Sequence, residues 1–244
     1  MEVLPPETPA VITKPKIFAG IGKNKRYVIV ASFLVLLFWF IQFVYQYEFL
    51  SVNTQSSLIR SFALTGATLI SIALMIGPIA RFWPRRNYII HRRTLGVWGF
   101  TFIIMHAFTV IYYIFNFDIS AIFFDLNPYV NPVIFGIIAF LLFLPLYLTS
   151  TDWAVMKLGF KKWKAVHRLI YFGYIFAILH FLLVNPPFLQ NYARGLLLVV
   201  TVAALILQVA GFVKTISKSK NKKAALAGII IIAVGAMLLY WAFF

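Results

Sequence analysis

Seven long apolar stretches constrain the fold of this chain more than any other feature of its sequence. A helix of about 20 apolar residues is long enough to cross the hydrocarbon core of a bilayer. Only 11% of the residues are charged, against about 25% in an average soluble domain. The stretches are continuous rather than alternating, so we predict an all-α integral membrane protein and not a β-barrel. The predicted spans are residues 27–46, 59–80, 94–115, 132–151, 165–184, 195–213 and 224–244.

The positions of the basic residues predict how these spans are oriented. All but Arg60 and Arg194 of the 22 Lys and Arg residues fall into four clusters, which lie at alternate ends of successive spans. Positive charge collects on the cytoplasmic side of membrane proteins. We therefore expect a multi-pass protein of the cell (inner) membrane, with a cytoplasmic N-terminus and a C-terminus outside. The clusters are residues 1–26, 81–93, 157–168 and 214–223.

The sequence also excludes several classes of function. The chain has no cysteine, whereas iron–sulfur clusters, thiolate-ligated haem and covalently attached haem require one. It has no glycine-rich phosphate-binding motif, and loops of roughly 7–20 residues leave no room for a soluble nucleotide-binding domain. The net charge of +16 lies at the membrane boundary, so we expect membrane lipid and not nucleic acid as its partner.

Two of the four histidines lie at a similar predicted depth in the membrane. His106 and His180 belong to the third and fifth spans, which run in the same direction, and each lies in the outer half of its span. Ionisable side chains inside a membrane are costly and usually functional. Two neutral imidazoles on neighbouring helices can hold a haem iron from opposite sides. We predict that His106 and His180 are haem-iron ligands; the alternative is that each hydrogen-bonds a carbonyl or lines a water cavity.

The other two histidines lie near the cytoplasmic ends of the same spans. His167 is a candidate for a second haem or for electron input, and His91 is a further candidate in a basic juxtamembrane segment. For both, a solvated position at the interface is the alternative. On one continuous helix, His167 and His180 would point about 140° apart and lie about 20 Å apart along the axis. That spacing has room for two haems without requiring the second.

Three motifs, in order along the chain, resemble the ferric-reductase-like transmembrane superfamily. "GPIAR" at 77–81 matches the end of a family helix, and "RRTLGVWGFTFIIMH" at 92–106 matches a stretch leading to a haem histidine. "LTSTDWAVMKLGFKKWKAVHRLIYFGYIFAILH" at 148–180 matches a Thr-Ser-Thr turn, a His-Arg-Leu-x-Tyr stretch and a second haem histidine. Within the superfamily the chain is most similar to the MsrQ type, the haem-binding membrane subunits of periplasmic methionine sulfoxide reductase systems.

The resemblance implies six core helices, haem b, and an FMN-type flavin near the cytoplasmic side. It places His106 and His180 at the haem histidines and His167 at the family's third histidine, whereas His91 lies outside the family pattern. It also divides the chain into a cytoplasmic tail at 1–26, a six-helix haem-binding unit at 27–213, and a basic loop with an additional C-terminal transmembrane helix at 214–244.

A basic site near the cytoplasmic face follows from the same resemblance. Arg92 and Arg93 match a family arginine pair, and guanidinium groups bind flavin phosphates or haem propionates well. Lys162 and Arg168 are further candidates for this site. The alternative is that these residues only anchor the topology through their positive charge.

We interpret the chain as a membrane b-type cytochrome, the electron-transfer subunit of an oxidoreductase. Its donor would be quinol or a cytoplasmic flavin reductase, because the chain has no nucleotide domain of its own. Its acceptor would be an external reductase, in the family a periplasmic molybdenum-type methionine sulfoxide reductase. The alternatives are a stand-alone ferric-chelate reductase and a non-redox haem carrier or sensor.

Overall fold

A computed structural model describes residues 25–50, 53–83, 88–184 and 192–218 of the chain. These residues form α-helices and a single π-helical turn, Tyr45–Phe49, and contain no β-strand. The all-α prediction is therefore confirmed. The helices are α1 (Lys25–Val44), α2 (Thr54–Phe82), α3 (Tyr88–Tyr113), α4 (Ile119–Ile122), α5 (Val133–Leu148), α6 (Asp152–Val166), α7 (Leu169–Val184) and α8 (Tyr192–Lys218).

Several of these helices are suited to cross a membrane. Four stretches are long and apolar enough, and α5 with α6 would make a fifth, although the two are bent by 108°. The apolar helix α7 is shorter, with 16 residues. A multi-pass integral membrane protein is thus confirmed, and each predicted span before residue 214 coincides with one helix. The four long stretches are Tyr27–Phe49, Thr54–Phe82, His91–Tyr113 and Gly195–Lys214.

Two details differ from the sequence prediction. Residues between the fourth and fifth predicted spans form the separate helix α6, and α7 begins at Leu169 rather than at residue 165. His167 therefore lies in the connection between α6 and α7, and its angular relation to His180 on one continuous helix does not apply. The predicted seventh span, 224–244, lies outside the described residues, and the division into domains stays a prediction.

The antiparallel helices α2 and α3 cross closely because each has a glycine at the crossing. A Cβ atom on Gly66 would lie 2.9 Å from the carbonyl oxygen of Gly99, and one on Gly99 would lie 2.8 Å from Ile70. Small residues allow such close approach of helix backbones within membranes. Seven residues from these glycines along each helix, His106 reaches the backbone of Ile59. The crossing therefore fixes the position of His106.

A second antiparallel pair, α5 and α7, fits together through rings that pack over glycines. The imidazole of His180 lies over Gly136, where a Cβ would be 3.0 Å from the ring. Phe143 lies seven residues after Gly136, and Gly173 lies seven residues before His180. At this point the ring of Phe143 lies over Gly173, where a Cβ would be 2.6 Å away. Each helix therefore places one ring over a glycine of the other helix. These two contacts set the distance between the helices and the position of His180.

Candidate haem-binding site

His106 and His180 face each other inside the bundle. The centroids of their imidazole rings are 6.4 Å apart and the ring planes differ by 60°. His106 is carried by α3 and His180 by α7, and the two rings come together although the residues lie 74 positions apart in sequence. The structure thus brings together the two histidines that the sequence singled out.

Each of the two imidazoles is oriented by a backbone carbonyl on a neighbouring helix end. Nδ1 of His106 lies 3.1 Å from the carbonyl oxygen of Ile59, and Nδ1 of His180 lies 2.9 Å from that of Pro132. A carbonyl oxygen only accepts hydrogen bonds, so each Nδ1 must donate a proton. In a neutral imidazole this leaves the lone pair on Nε2, which is how metal-binding histidines are commonly held.

The ring separation agrees with two imidazoles on one metal. An imidazole nitrogen lies about 2.0 Å from a bound transition-metal ion, which places two ligand rings on opposite sides of that ion with centroids about 6 Å apart. A bare ion normally needs four protein ligands, yet the described residues contain no group of three His, Cys, Asp or Glu side chains suited to a metal. Two histidines are sufficient when a porphyrin supplies the other ligands, so the residues fit a haem.

An apolar cavity of about 110 Å³ lies beside the histidine pair. Ile103, one turn before His106, and Ala177, one turn before His180, both line it. Aliphatic and aromatic side chains form most of its wall, as is typical of sites for flat apolar cofactors. The cavity therefore lies one helical turn from each histidine, and its wall is mostly apolar.

A chain of hydroxyl groups forms the polar part of the cavity wall. The phenol oxygen of Tyr174 lies 2.6 Å from Oγ of Ser71 and 3.3 Å from Oγ1 of Thr201. All three residues are buried, and they link α2, α7 and α8. These three residues were not among the predicted site residues; the signal in the sequence was a tyrosine in the same apolar span as the candidate ligand His180.

His167 and His91 each contact an aromatic ring. The ring centroid of His167 lies 4.1 Å from that of Trp163, and its Nδ1 lies 3.1 Å from the Trp163 carbonyl oxygen. Burial lowers the pKa of His167, and the charges of Arg92 and Arg93 lower it further, which favours the neutral imidazole. His91 packs edge-on against Tyr27 at 4.4 Å. The roles suggested for these two histidines stay predictions.

The four basic residues proposed for a flavin or propionate site have different surroundings. Arg93 donates to the carboxylate of Asp152 and to the carbonyl oxygen of Ser150, each at 2.6 Å. The guanidinium of Arg92 instead packs over Gly77, 3.4 Å from the position of a Cβ there. The side chains of Lys162 and Arg168 are exposed. Arg93 thus has a structural partner, and the assignment of all four to one site stays a prediction.

Comparison with known proteins places the chain in a family. The family model described as ferric reductase like transmembrane component matches residues 61–178, which include His106 and His167 and end just before His180. A relative named protein-methionine-sulfoxide reductase heme-binding subunit MsrQ, from Caulobacter vibrioides, is 28% identical over 149 residues, which are 58% of this chain and 70% of the relative. The protein of the same name from Herminiimonas arsenicoxydans is 32% identical over 163 residues, 64% of this chain and 70% of the relative. The chain belongs to the ferric reductase-like MsrQ family.

Proposed function

We propose that this protein is the haem-binding, electron-transferring membrane subunit of a methionine sulfoxide reductase system, with His106 and His180 as axial ligands of a b-type haem. The observation that carries the proposal is the pair of facing imidazoles at 6.4 Å, each bonded through Nδ1 to a backbone carbonyl. The names of the relatives, which describe heme-binding subunits of this reductase, support the same function.

The residues around the pair have separable tasks in this function. The carbonyls of Ile59 and Pro132 orient the two imidazoles and keep each Nε2 free to bind a metal. The apolar side chains of the cavity exclude water and lower the local dielectric constant, which raises the energetic influence of each nearby charge. A bound haem would supply one-electron redox chemistry, and His106 on α3 and His180 on α7 would hold it.

The direction of electron flow follows from the proposed topology. Electrons would come from quinol or a cytoplasmic flavin reductase at the basic end and leave toward an external methionine sulfoxide reductase of the molybdenum type. An inside-negative membrane potential favours outward movement of an electron by about 2.3 kcal/mol per 100 mV across the full membrane. At the basic end, His167 is the candidate for electron input or a second haem. Arg92 is the candidate for holding an FMN phosphate or a propionate.

Replacement of the two ligands tests the proposal directly. His106→Ala and His180→Ala should each remove one axial ligand and cause loss of most haem or conversion to a high-spin form. The measurements are the visible spectrum and the pyridine haemochrome of purified protein. His91→Ala is the control and should retain the wild-type spectrum, because His91 packs against Tyr27. Full haem with a wild-type spectrum in both ligand variants would show that the assignment is wrong.

The electron acceptor can be tested on the same preparation. Haem reduced by quinol or by a flavin reductase should be reoxidised when the external methionine sulfoxide reductase and its substrate are added. Reoxidation by ferric chelates alone would instead indicate a stand-alone ferric reductase. A haem that dithionite reduces but neither biological donor reduces would indicate a carrier or sensor.

A further inference from the structure

The helix α6 exposes large apolar side chains at the basic end of the bundle. Trp153, Met156 and Phe160 are 63%, 59% and 57% exposed. On the opposite side of the first two turns, Ala154 and Val155 are buried against the rest of the protein. The described part of the chain therefore covers one side of the first half of α6 and leaves these three apolar side chains uncovered; together they are called the apolar face of α6.

The bend between α5 and α6 determines where the apolar face of α6 lies relative to the bundle. The two helices are bent by 108° at residues 149–151, so α6 runs across the end of the bundle when α5 runs through the membrane. Within α6, Gly159 has φ 73° and ψ 151°, a conformation that a glycine adopts without strain. The break redirects the second half of α6, and Phe160 follows it directly. Both halves therefore lie near the bundle end.

Specific contacts hold α6 in this position. The Thr151 hydroxyl accepts a hydrogen bond from the Ala154 amide at 3.1 Å, which caps the helix. The indole nitrogen of Trp163 donates to the carbonyl oxygen of Thr149 at 3.0 Å. Arg93 binds Asp152 at the first turn. Both halves of α6 are thus tied to the bundle, and the exposed apolar face is formed before any partner binds.

The charge on α6 is almost entirely positive. Asp152 is the only acidic residue of the sequence after Asp125, and Arg93 neutralises it. The ammonium group of Lys157 lies 4.7 Å from the centroid of the Trp153 ring, so an apolar and a basic group share one surface. Lysine stems can lie along apolar surface while their charged ends reach polar groups. The exposed lysines of α6 are Lys157, Lys161, Lys162 and Lys164.

We propose that α6 lies in the headgroup region of the bilayer and binds anionic phospholipid. Trp153, Met156 and Phe160 enter the boundary with the acyl chains, and the lysines contact lipid phosphates. Helices with an aromatic apolar face and lysines beside it bind membranes in this way. A basic surface can also bind an acidic protein, but the exposed apolar side chains between the lysines favour lipid. The proposal concerns a different surface from the histidine pair, and its test does not depend on bound haem.

The position of α6 in the bilayer can be measured with single spin labels, because the chain has no native cysteine. A label at Met156→Cys reports on the apolar face. A label at Lys162→Cys, which replaces an exposed basic residue, is its control. The full-length proteins are labelled and placed in phosphatidylcholine vesicles with or without phosphatidylglycerol. The label at position 156 should be accessible to membrane-dissolved oxygen and protected from a water-soluble nickel chelate, and the label at 162 should show the reverse. Equal accessibility of both labels to the nickel chelate would overturn the proposal.

The preference for anionic lipid is tested by removing charge. Lys157→Gln, Lys161→Gln and Lys164→Gln together should reduce the phosphatidylglycerol retained by protein isolated from mixed vesicles, by about fivefold for each lysine removed. The matching triple Lys→Arg variant keeps the charge and should retain wild-type amounts. Unchanged retention in the Gln variant would overturn the proposal. Protection of the label at 156 that arises only when a soluble acidic protein is added would also overturn it, in favour of a protein partner.

Discussion

The imidazole of His180 packs over the α-carbon of Gly136 so closely that a methyl group there would lie 3.0 Å from both Cε1 and Nδ1 of the ring. The same ring is held by a hydrogen bond from Nδ1 to the carbonyl oxygen of Pro132 at 2.9 Å. Gly136 and Pro132 lie at the start of one helix, four residues apart. The ring is therefore confined both by a bond and by the space that a glycine leaves.

Gly136→Ala should disturb the histidine pair without removing either imidazole. The added methyl group must displace the imidazole of His180, so we expect a shifted haem spectrum or partial haem loss in folded protein. Overpacking of this kind costs about 1–3 kcal/mol of stability. Gly173→Ala is the matched control, because its methyl group would meet Phe143 in the same helix pair. The spectra and the unfolding free energies of both variants are compared; equal spectral changes would contradict a specific effect at His180.

A second prediction concerns a proline inside α2. Pro78 has no N–H, so the carbonyl oxygen of Leu74 lacks its usual intrahelical donor. The side-chain amide of Gln208 on α8 donates to that oxygen at 2.7 Å. Gln208→Leu leaves the carbonyl without a donor inside the membrane and should cost about 1 kcal/mol of stability.

A double-mutant cycle isolates this compensation. Pro78→Ala restores a backbone N–H for Leu74, so Gln208→Leu should cost less in the Pro78→Ala background than in the wild type. The measurement is the unfolding free energy of all four proteins in mixed detergent micelles. The same cost in both backgrounds would show that Gln208 acts through some other contact.

The sequence was sufficient to predict the membrane class and to identify His106 and His180 as a pair. Apolar length and basic clusters follow directly from the energetic cost of placing polar groups in lipid. Depth in the membrane can be estimated by counting residues along a span, which is why two distant histidines could be matched. Membership of the MsrQ family was likewise recognisable from motifs.

Contacts between helices were not predictable in the same way. The closeness of Gly136 to His180 depends on how α5 is rotated about its axis relative to α7. A membrane helix is apolar on its lipid-facing side as well as on its packed side, so the periodicity of its apolar residues gives little information on that rotation. The helix α6 was missed because its residues alternate between basic and apolar types without a long hydrophobic run. The connection at His167 was missed because the basic and apolar segments join without a proline or glycine at that point.

A third prediction separates the two neighbouring arginines. Arg93→Gln should lower stability more than Asp152→Asn, because Arg93 binds both the Asp152 carboxylate and the Ser150 carbonyl oxygen. The ion pair is partly exposed, at 29% and 41% for the two side chains, so its own contribution is about 0–1 kcal/mol. The unfolding free energies of the single and double variants test this order. A larger loss from Asp152→Asn would contradict it.

Arg92→Gln should have a different effect from Arg93→Gln. Arg92 packs over Gly77 and is the arginine that we assign to a flavin phosphate or propionate. Its replacement should reduce bound FMN or donor-driven haem reduction while the haem spectrum stays nearly intact. Flavin content is measured by fluorescence after denaturation, and haem reduction by stopped-flow absorbance. If both are unchanged, Arg92 only anchors the topology.

The last prediction concerns His167 as a relay between the basic end and the histidine pair. Its ring lies against Trp163, and its neutral form is favoured by burial, so Nε2 is suited to bind a metal or to contact a donor cofactor. His167→Ala should slow reduction of haem by quinol or flavin reductase and leave in place the low-spin spectrum expected of a haem held by His106 and His180. Haem content distinguishes the two roles: halved content indicates a second haem, and unchanged content indicates electron input.

His91→Ala is the control. The ring of His91 packs on Tyr27, so the reduction rate of this variant should stay at the wild-type value. A wild-type rate in His167→Ala would remove His167 from the proposed electron path.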